Sequence, residues 1–179
     1  GAGAPQRLRS LWMMHAVGGL DERFGRNSLA DPDEYVVAWT VQLLLEKKSV
    51  EPATLAALEQ LATSTASPVV RLYLASALQR LPFEQRWTLA QNLLAHDEDA
   101  KDHNIPLLLW YGIEPLVEND TARALALVSK THLEPVPRFL VRRAGAQAKL
   151  HAALVAFLAQ PASRDGIAWK RDGVAAGRL

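Results

Sequence analysis

The fold of this 179-residue chain is decided by one stretch, Ser67-Pro68-Val69-Val70-Arg71-Leu72-Tyr73-Leu74-Ala75-Ser76-Ala77-Leu78-Gln79-Arg80-Leu81-Pro82. Apolar residues recur along it at positions i, i+4, i+7, i+8 and i+11, namely Val70, Leu74, Ala77, Leu78 and Leu81. This spacing places them on one face of an α-helix, whereas a strand would alternate apolar and polar residues. Pro82 ends the helix and opens the next one. The stretch therefore predicts a helical hairpin.

Three other segments resemble the start of this helix, and together they indicate a repeat. Laying Val37 on Val70 gives a period of 33 residues, with Asp31-Pro32 and Ser67-Pro68 just ahead of the two helices. Periods of 20 to 50 residues are typical of solenoids, in which each helical pair packs only against its neighbours. The four similar segments are Leu8 to Trp12, Val36 to Val41, Val69 to Leu74 and Pro137 to Val141.

We therefore expect an all-α fold, a right-handed α-α superhelix of about four or five hairpins of HEAT-like or ARM type. The repeat domain is predicted over residues 5–160, and residues 161–179 as a loose tail or end cap. We expect Asp33 or Asp31 to cap one helix, and Asn104 or His103 to start another that reaches about Val117. The segment from Gly18 to Ser28 is rich in glycine and charge, which predicts a loop.

Composition excludes several kinds of site. The chain has no cysteine, so it can form no disulfide, thiolate metal site or covalent haem attachment. Its formal net charge is +1, far from the basic balance typical of nucleic-acid wrapping. The longest nearly apolar run, Ile105 to Ile113, is about half of what a bilayer requires, and it predicts a buried helix. Because the chain begins at Gly1 without a methionine or a leader, we expect it to be part of a longer protein.

The small and aliphatic residues that follow Val70-Arg71 resemble those of the HEAT repeat. In that family an early aspartate or proline and an arginine in the second helix often form a ladder along the stack. Asp31-Pro32 matches the early aspartate or proline of this pattern. Ala38, however, occupies the position that Arg71 has in the next unit, so the ladder is interrupted. We take Arg71 and Trp169 as candidate interaction residues.

A narrower resemblance rests on Ser67 to Pro82, Trp110 to Leu116 and Arg138 to Arg143. These segments resemble the HEAT-containing region of the large membrane-bound dehydrogenases of planctomycete and verrucomicrobial type, over roughly residues 5–160. Proteins of that family are exported chains that join a propeller, this helical region and a haem c domain with a Cys-x-x-Cys-His motif. The resemblance implies a periplasmic or exported context and a spacer or docking role, and it places no cofactor within these residues.

Glu114 suggests an ion network. It lies one turn after Trp110 in the most apolar predicted helix, where a buried carboxylate needs a cationic partner. The expected partners are Arg138, Arg142 and Arg143 from the following unit. We expect an inter-repeat ion pair; the alternative is a charged pocket that binds a ligand.

Three further patterns each have two interpretations. The acidic loop His96-Asp97-Glu98-Asp99, with Asp102 and His103, could hold a divalent cation, but a solvated connector is favoured. Arg138, Arg142 and Lys149 could contact phosphates, but a structural role is favoured. The tryptophans could form a ligand platform, but core packing is favoured for Trp12, Trp39, Trp87 and Trp110.

No nucleophile elbow, P-loop or helical zinc motif is present in the sequence. The chain is therefore predicted to be a non-enzymatic protein-interaction or structural scaffold whose partner is a protein, either a neighbouring domain of its parent chain or a separate protein. The alternatives are a part of the substrate or electron-transfer interface of a dehydrogenase, and a HEAT-like protein that binds nucleic acid.

Overall fold

A computed structural model describes residues 1–160, and all regular secondary structure in these residues is helical, without a strand. They divide into two compact units, Gly1–Leu93 and a second that begins at Leu94. The predicted repeat domain spans both units, and the predicted tail at 161–179 lies outside the described residues. The first unit contains α1 (Ala4–Ala16), α2 (Glu22–Ser28), α3 (Glu34–Leu44), α4 (Pro52–Ser64), α5 (Pro68–Ala77) and α6 (Phe83–Leu93).

The first unit has two layers of helices. In one layer, which we call the odd layer, α3 packs against both α1 and α5. In the other, the even layer, α4 packs against both α2 and α6. Each layer therefore takes every second helix of the chain.

Contacts between neighbouring helices of one layer join residues about one repeat apart in the sequence. The Ser67 hydroxyl donates a hydrogen bond to the Glu34 carboxylate, 33 residues away. In the even layer, Asn92 Nδ2 donates to the Glu59 carbonyl oxygen at 2.9 Å, again 33 residues away. The 33-residue period of the sequence is therefore also the number of positions that separates these contacting residues.

Two helices of the first unit, α3 and α5, begin at the capping residues that the sequence indicates. Asp33 Oδ1 accepts hydrogen bonds from the backbone N–H groups of Tyr35 and Val36, so the predicted cap at Asp33 is confirmed. Ser67 caps α5 in the same way, and Pro68 occupies the first turn. The apolar face of the deciding stretch is buried: Leu74 and Leu78 have no exposed surface.

The loop predicted from Gly18 to Ser28 is wrong for most of its length, because α2 occupies it. Asp21 caps α2 by accepting from the backbone N–H of Phe24 at 2.7 Å. Gly25 is buried in this helix, and a Cβ added there would lie 2.4 Å from Leu44 Cδ2. Among the glycines of residues 1–160, only Gly18, at φ +74°, uses the left-handed freedom of glycine. Gly25 therefore serves close packing of α2 on α3 and does not mark a turn.

The second unit contains α7 (Ile105–Ile113), α8 (Leu116–Asn119), α9 (Thr121–Ala126), α10 (Val136–Gly145) and α11 (His151–Leu158). α7 begins at Ile105 directly after its N-cap residue Asn104, so the predicted start of this helix is confirmed. The side chain that binds the first backbone N–H groups is that of Asp102, whose Oδ1 accepts from Asn104 and Ile105. The predicted helix to Val117 breaks near Pro115, which has no N–H to donate. In this unit α10 packs against α7, α9 and α11.

Candidate functional site

Two glutamates and the basic end of α10 form an ion cluster in the second unit. Arg143 Nε donates to Glu114 Oε1 at 2.7 Å, and Arg143 Nη2 donates to Glu118. Glu118 also accepts from Lys149 Nζ at 2.8 Å and from Gln147 Nε2 at 2.6 Å. We call these five residues the Glu118 cluster.

The cluster strongly favours the charged form of Glu118. Hydrogen bonds from Lys149 and Gln147 lower the pKa of the Glu118 carboxyl from 4.5 to about 2, with a smaller contribution from the charge of Arg143. Arg143 and Lys149 are thereby paired with carboxylates. Neither cation is free to contact a phosphate without breaking an ion pair.

The structure brings together only part of the predicted Glu114, Arg138, Arg142 and Arg143 network. Arg143 contacts Glu114, whereas Arg138 and Arg142 are exposed and make no ion pair within the part of the chain that is described. The Glu114 side chain is 37% exposed, so its expected burial is wrong: α7 ends at Ile113, and Glu114 lies at the turn that follows. Glu118, one turn after Glu114, was not predicted, although the i, i+4 spacing of the two carboxylates was available in the sequence.

A shallow concavity lies beside this cluster. The rings of Trp110, on α7, and Phe139, on α10, have centroids 5.3 Å apart and form its apolar surface. The space has a volume of about 250 Å³, and its remaining lining comes from Arg142, Arg143 and Ala146. We call it the Trp110 pocket. Arg138 lies over the Phe139 ring with its guanidinium carbon 5.6 Å from the centroid.

An aromatic row crosses the odd layer of the first unit. The Trp12 and Trp39 rings have centroids 5.2 Å apart with planes at 82°, and Tyr73 lies 6.3 Å from Trp39. These three residues come from α1, α3 and α5, and we call them the aromatic row. Trp12 is 41% exposed, so core packing is the wrong prediction for it, whereas Trp87 is buried as predicted.

Arg71 does not lie on the surface. Only 2% of the residue is exposed, and its Nη1 donates to the carbonyl oxygen of Thr65 at 3.1 Å. The candidate interaction role of Arg71 is therefore wrong, since a partner could not reach the side chain. Trp169, the other candidate interaction residue, lies outside the described residues.

The aspartate of the Asp31-Pro32 pair binds an arginine of another helix. Arg7 on α1 donates from Nε and Nη2 to the two carboxylate oxygens of Asp31 at 2.7 and 2.8 Å. The hydrogen bond from Arg7 lowers the pKa of Asp31. This bidentate pair fixes α1 to the turn that precedes α3.

The acidic loop forms no metal centre. Its residues are used in local contacts: His96 Nδ1 lies 2.9 Å from Glu98 Oε1, and His132 Nδ1 lies 3.1 Å from Asp97 Oδ2. Within residues 1–160, no three His, Asp or Glu side chains converge so that they could hold a metal ion. Among the helices of the same residues, none is both long enough and apolar enough to span a membrane.

No family model, curated protein or solved structure matches this chain. The resemblances to HEAT repeats and to the dehydrogenase region therefore stay predictions.

Proposed function

We propose that this chain is a HEAT-like α-solenoid module that binds a protein partner on its odd layer and has no catalytic role of its own. The observation that carries the proposal is the aromatic row, which places three large aromatic side chains of successive hairpins side by side on one layer. In this proposal the helices are the rigid support and the row is the binding surface.

The repeat contacts support the solenoid part of the proposal. In a solenoid, each hairpin packs on the next one, so residues one period apart become neighbours. The pairs Glu34 with Ser67 and Glu59 with Asn92 have this relationship, one in each layer. The right-handed superhelical arrangement of all the hairpins is the finer part of the proposal.

Trp39 and Tyr73 of the row are half-buried, and the exposed side chains at its Trp12 end and beside it support a protein partner. Tryptophan, tyrosine and methionine are enriched at protein interfaces, and tryptophan and tyrosine often contribute most of the binding energy. Trp12 is 41% exposed, its neighbour Met13 is 68% exposed, and Tyr35, one turn before Trp39, is 55% exposed. An apolar surface of this kind on a soluble domain is typical of an interaction site.

Nucleic acid is the weaker alternative. Of the cations proposed to contact phosphates, Lys149 is paired with Glu118, which leaves Arg138 and Arg142 as the exposed pair. Two arginines supply little of the charge neutralisation on which nucleic-acid affinity depends. The exported redox protein implied by the narrower resemblance remains a prediction about flanking sequence, and reading the coding DNA on both sides would test it.

Site-specific photo-cross-linking tests the proposal. Tyr35 on the odd layer is replaced by p-benzoylphenylalanine, and the matched control places the same group at Thr88, which is exposed on α6 of the even layer. After irradiation in an extract of the source cells, we expect one discrete protein adduct from position 35 and none from position 88. The captured protein, once purified, should bind the unmodified chain at least about tenfold more tightly than the Trp12→Lys variant, because interface tryptophans commonly contribute 2 kcal/mol or more.

Two results would contradict this function. One is equal labelling from positions 35 and 88, which would mean that the odd layer is not preferred. The other is a purified partner whose affinity is the same for the Trp12→Lys variant, provided that the variant's helical circular dichroism and melting temperature match those of the parent.

A further inference from the structure

We propose that the Trp110 pocket binds one aromatic side chain of an acidic peptide segment, whose carboxylates pair with Arg142 and Arg138. This inference rests on the proposed function in one respect, namely that the partner is a protein. It adds a second contact, located in the second unit, and states the chemistry of the segment that binds there.

The size of the pocket favours a single side chain. Its volume of about 250 Å³ is below the roughly 300 to 1,000 Å³ of pockets that enclose whole small-molecule ligands. Its surface is provided by the Trp110 and Phe139 rings, whose planes are inclined by 57°. A third ring can pack against such a pair edge-to-face or offset, which are the arrangements that aromatic rings prefer.

The charge at the pocket favours carboxylates on the incoming segment. Arg142 lines the pocket and is exposed, and Arg138 lies one turn earlier on the same face of α10. Neither makes an ion pair within residues 1–160, so each can bind a carboxylate through two N–H groups without breaking an internal ion pair.

The Glu118 cluster keeps the pocket from attracting cations instead. Glu114 at the turn after α7 and Glu118 in α8 both accept hydrogen bonds from Arg143, which lines the pocket. Lys149 adds a second cation to Glu118. The pairing also holds the Arg143 side chain in place as one wall of the pocket, so the binding surface is formed in advance.

A nuclear magnetic resonance titration with defined peptides tests the inference. The probe is a seven-residue peptide of aspartates and glutamates around one central phenylalanine, and the indole N–H signal of Trp110 reports binding. The control peptide carries glycine in place of the phenylalanine, and a second control is single-stranded hexathymidylate. We expect a saturable shift of the Trp110 signal with the phenylalanine peptide, and at least about tenfold weaker binding of either control.

Three variants distinguish the contribution of the arginine charge to peptide affinity from that of the Trp110 pocket. Arg142→Glu should weaken the phenylalanine peptide about tenfold or more, since hydrogen bonds between charged partners are the strong ones. Ala146→Trp should also weaken it, because the added ring enters the pocket from an exposed position at the end of α10. Arg23→Glu makes the same charge change at an exposed arginine of α2, and we expect it to leave the affinity within about twofold.

The inference is overturned by any of three results. These are no shift of the Trp110 signal at millimolar peptide, equal loss of affinity in Arg142→Glu and Arg23→Glu, and binding of hexathymidylate as tight as that of the phenylalanine peptide. None of them affects cross-linking at position 35, so a protein partner could still bind the aromatic row of the first unit. Conversely, loss of the adduct at position 35 with a normal peptide titration would contradict the proposed function alone.

Discussion

Replacing Gly25 by alanine tests how closely α2 approaches α3. A Cβ at this position would lie 2.4 Å from Leu44 Cδ2 and 2.9 Å from Leu44 Cγ, whereas ordinary contacts begin near 3.4 Å. Leu44 is buried, so it must move by about 1 Å into a packed core to admit an alanine. Overpacking of this kind costs about 1 to 3 kcal/mol, while replacing glycine by alanine inside a helix gains about 1 kcal/mol. The Gly25→Ala variant should therefore lose about 0 to 2 kcal/mol of unfolding free energy.

Removing the Leu44 side chain should turn the loss of unfolding free energy in Gly25→Ala into a gain. In a Leu44→Ala background the space beside Gly25 is empty, and Gly25→Ala then keeps only its helical gain of about 1 kcal/mol. The coupling energy of the double-mutant cycle is thus about 1 to 3 kcal/mol, and urea unfolding followed by circular dichroism can measure it. Gly145→Ala is the matched control, because its Cβ would meet Leu154 Cδ2 at 3.7 Å, an ordinary contact. If Gly25→Ala changed stability equally in both backgrounds, within about 0.5 kcal/mol, the close-approach explanation would be wrong.

Three other predictions test the ion cluster and the aromatic row. Glu114→Ala should lower the unfolding free energy by less than about 1 kcal/mol, as expected for a pair in which Glu114 is 37% exposed, and a loss of 3 kcal/mol in urea unfolding would contradict this. Because the pKa of Glu118 falls from 4.5 to about 2 on folding, its charge stabilises the fold fully above about pH 4.5 and progressively less toward pH 2. The melting temperature of Glu118→Gln should therefore lie below that of the parent at neutral pH and converge with it near pH 2. A difference in melting temperature that stays constant with pH would contradict the lowered pKa of Glu118. The Trp12 and Trp39 rings, 5.2 Å apart, should give an exciton couplet in far-ultraviolet circular dichroism that Trp12→Phe and Trp39→Phe both remove, and equal loss in Trp87→Phe would argue against the pair.

Local signals predicted the helices of the first unit well. The spacing from Val70 to Leu81 indicated α5, and Asp33 capped α3 where expected, because such patterns depend on helix geometry and on nearby backbone groups. The prediction for the Gly18 to Ser28 segment was wrong for the opposite reason. The function of Gly25 depends on Leu44, nineteen positions later, and glycine composition alone does not distinguish close packing from a turn.

The candidate site was harder to predict, because it depends on which helices become neighbours. Glu114 and Arg143 could be matched by charge, but the sequence did not show that α7 would end before Glu114 and leave it partly exposed. Trp12 lies in an apolar stripe, yet its exposure depends on how α1 lies beside α3. Periodicity identifies the face of a helix, whereas the depth of each residue on that face is set by tertiary packing.

The central claim is that α1, α3 and α5 pack side by side in the odd layer and so build the aromatic row. Nuclear Overhauser contacts of the Trp39 ring protons test it most directly, because Trp39 lies between its two neighbours in the row. We expect contacts from Trp39 to both Trp12 and Tyr73, and none between Trp12 and Tyr73. Contacts from Trp39 to Trp87 without any to Tyr73, in a chain that is otherwise fully helical, would contradict the layered repeat and the function proposed from it.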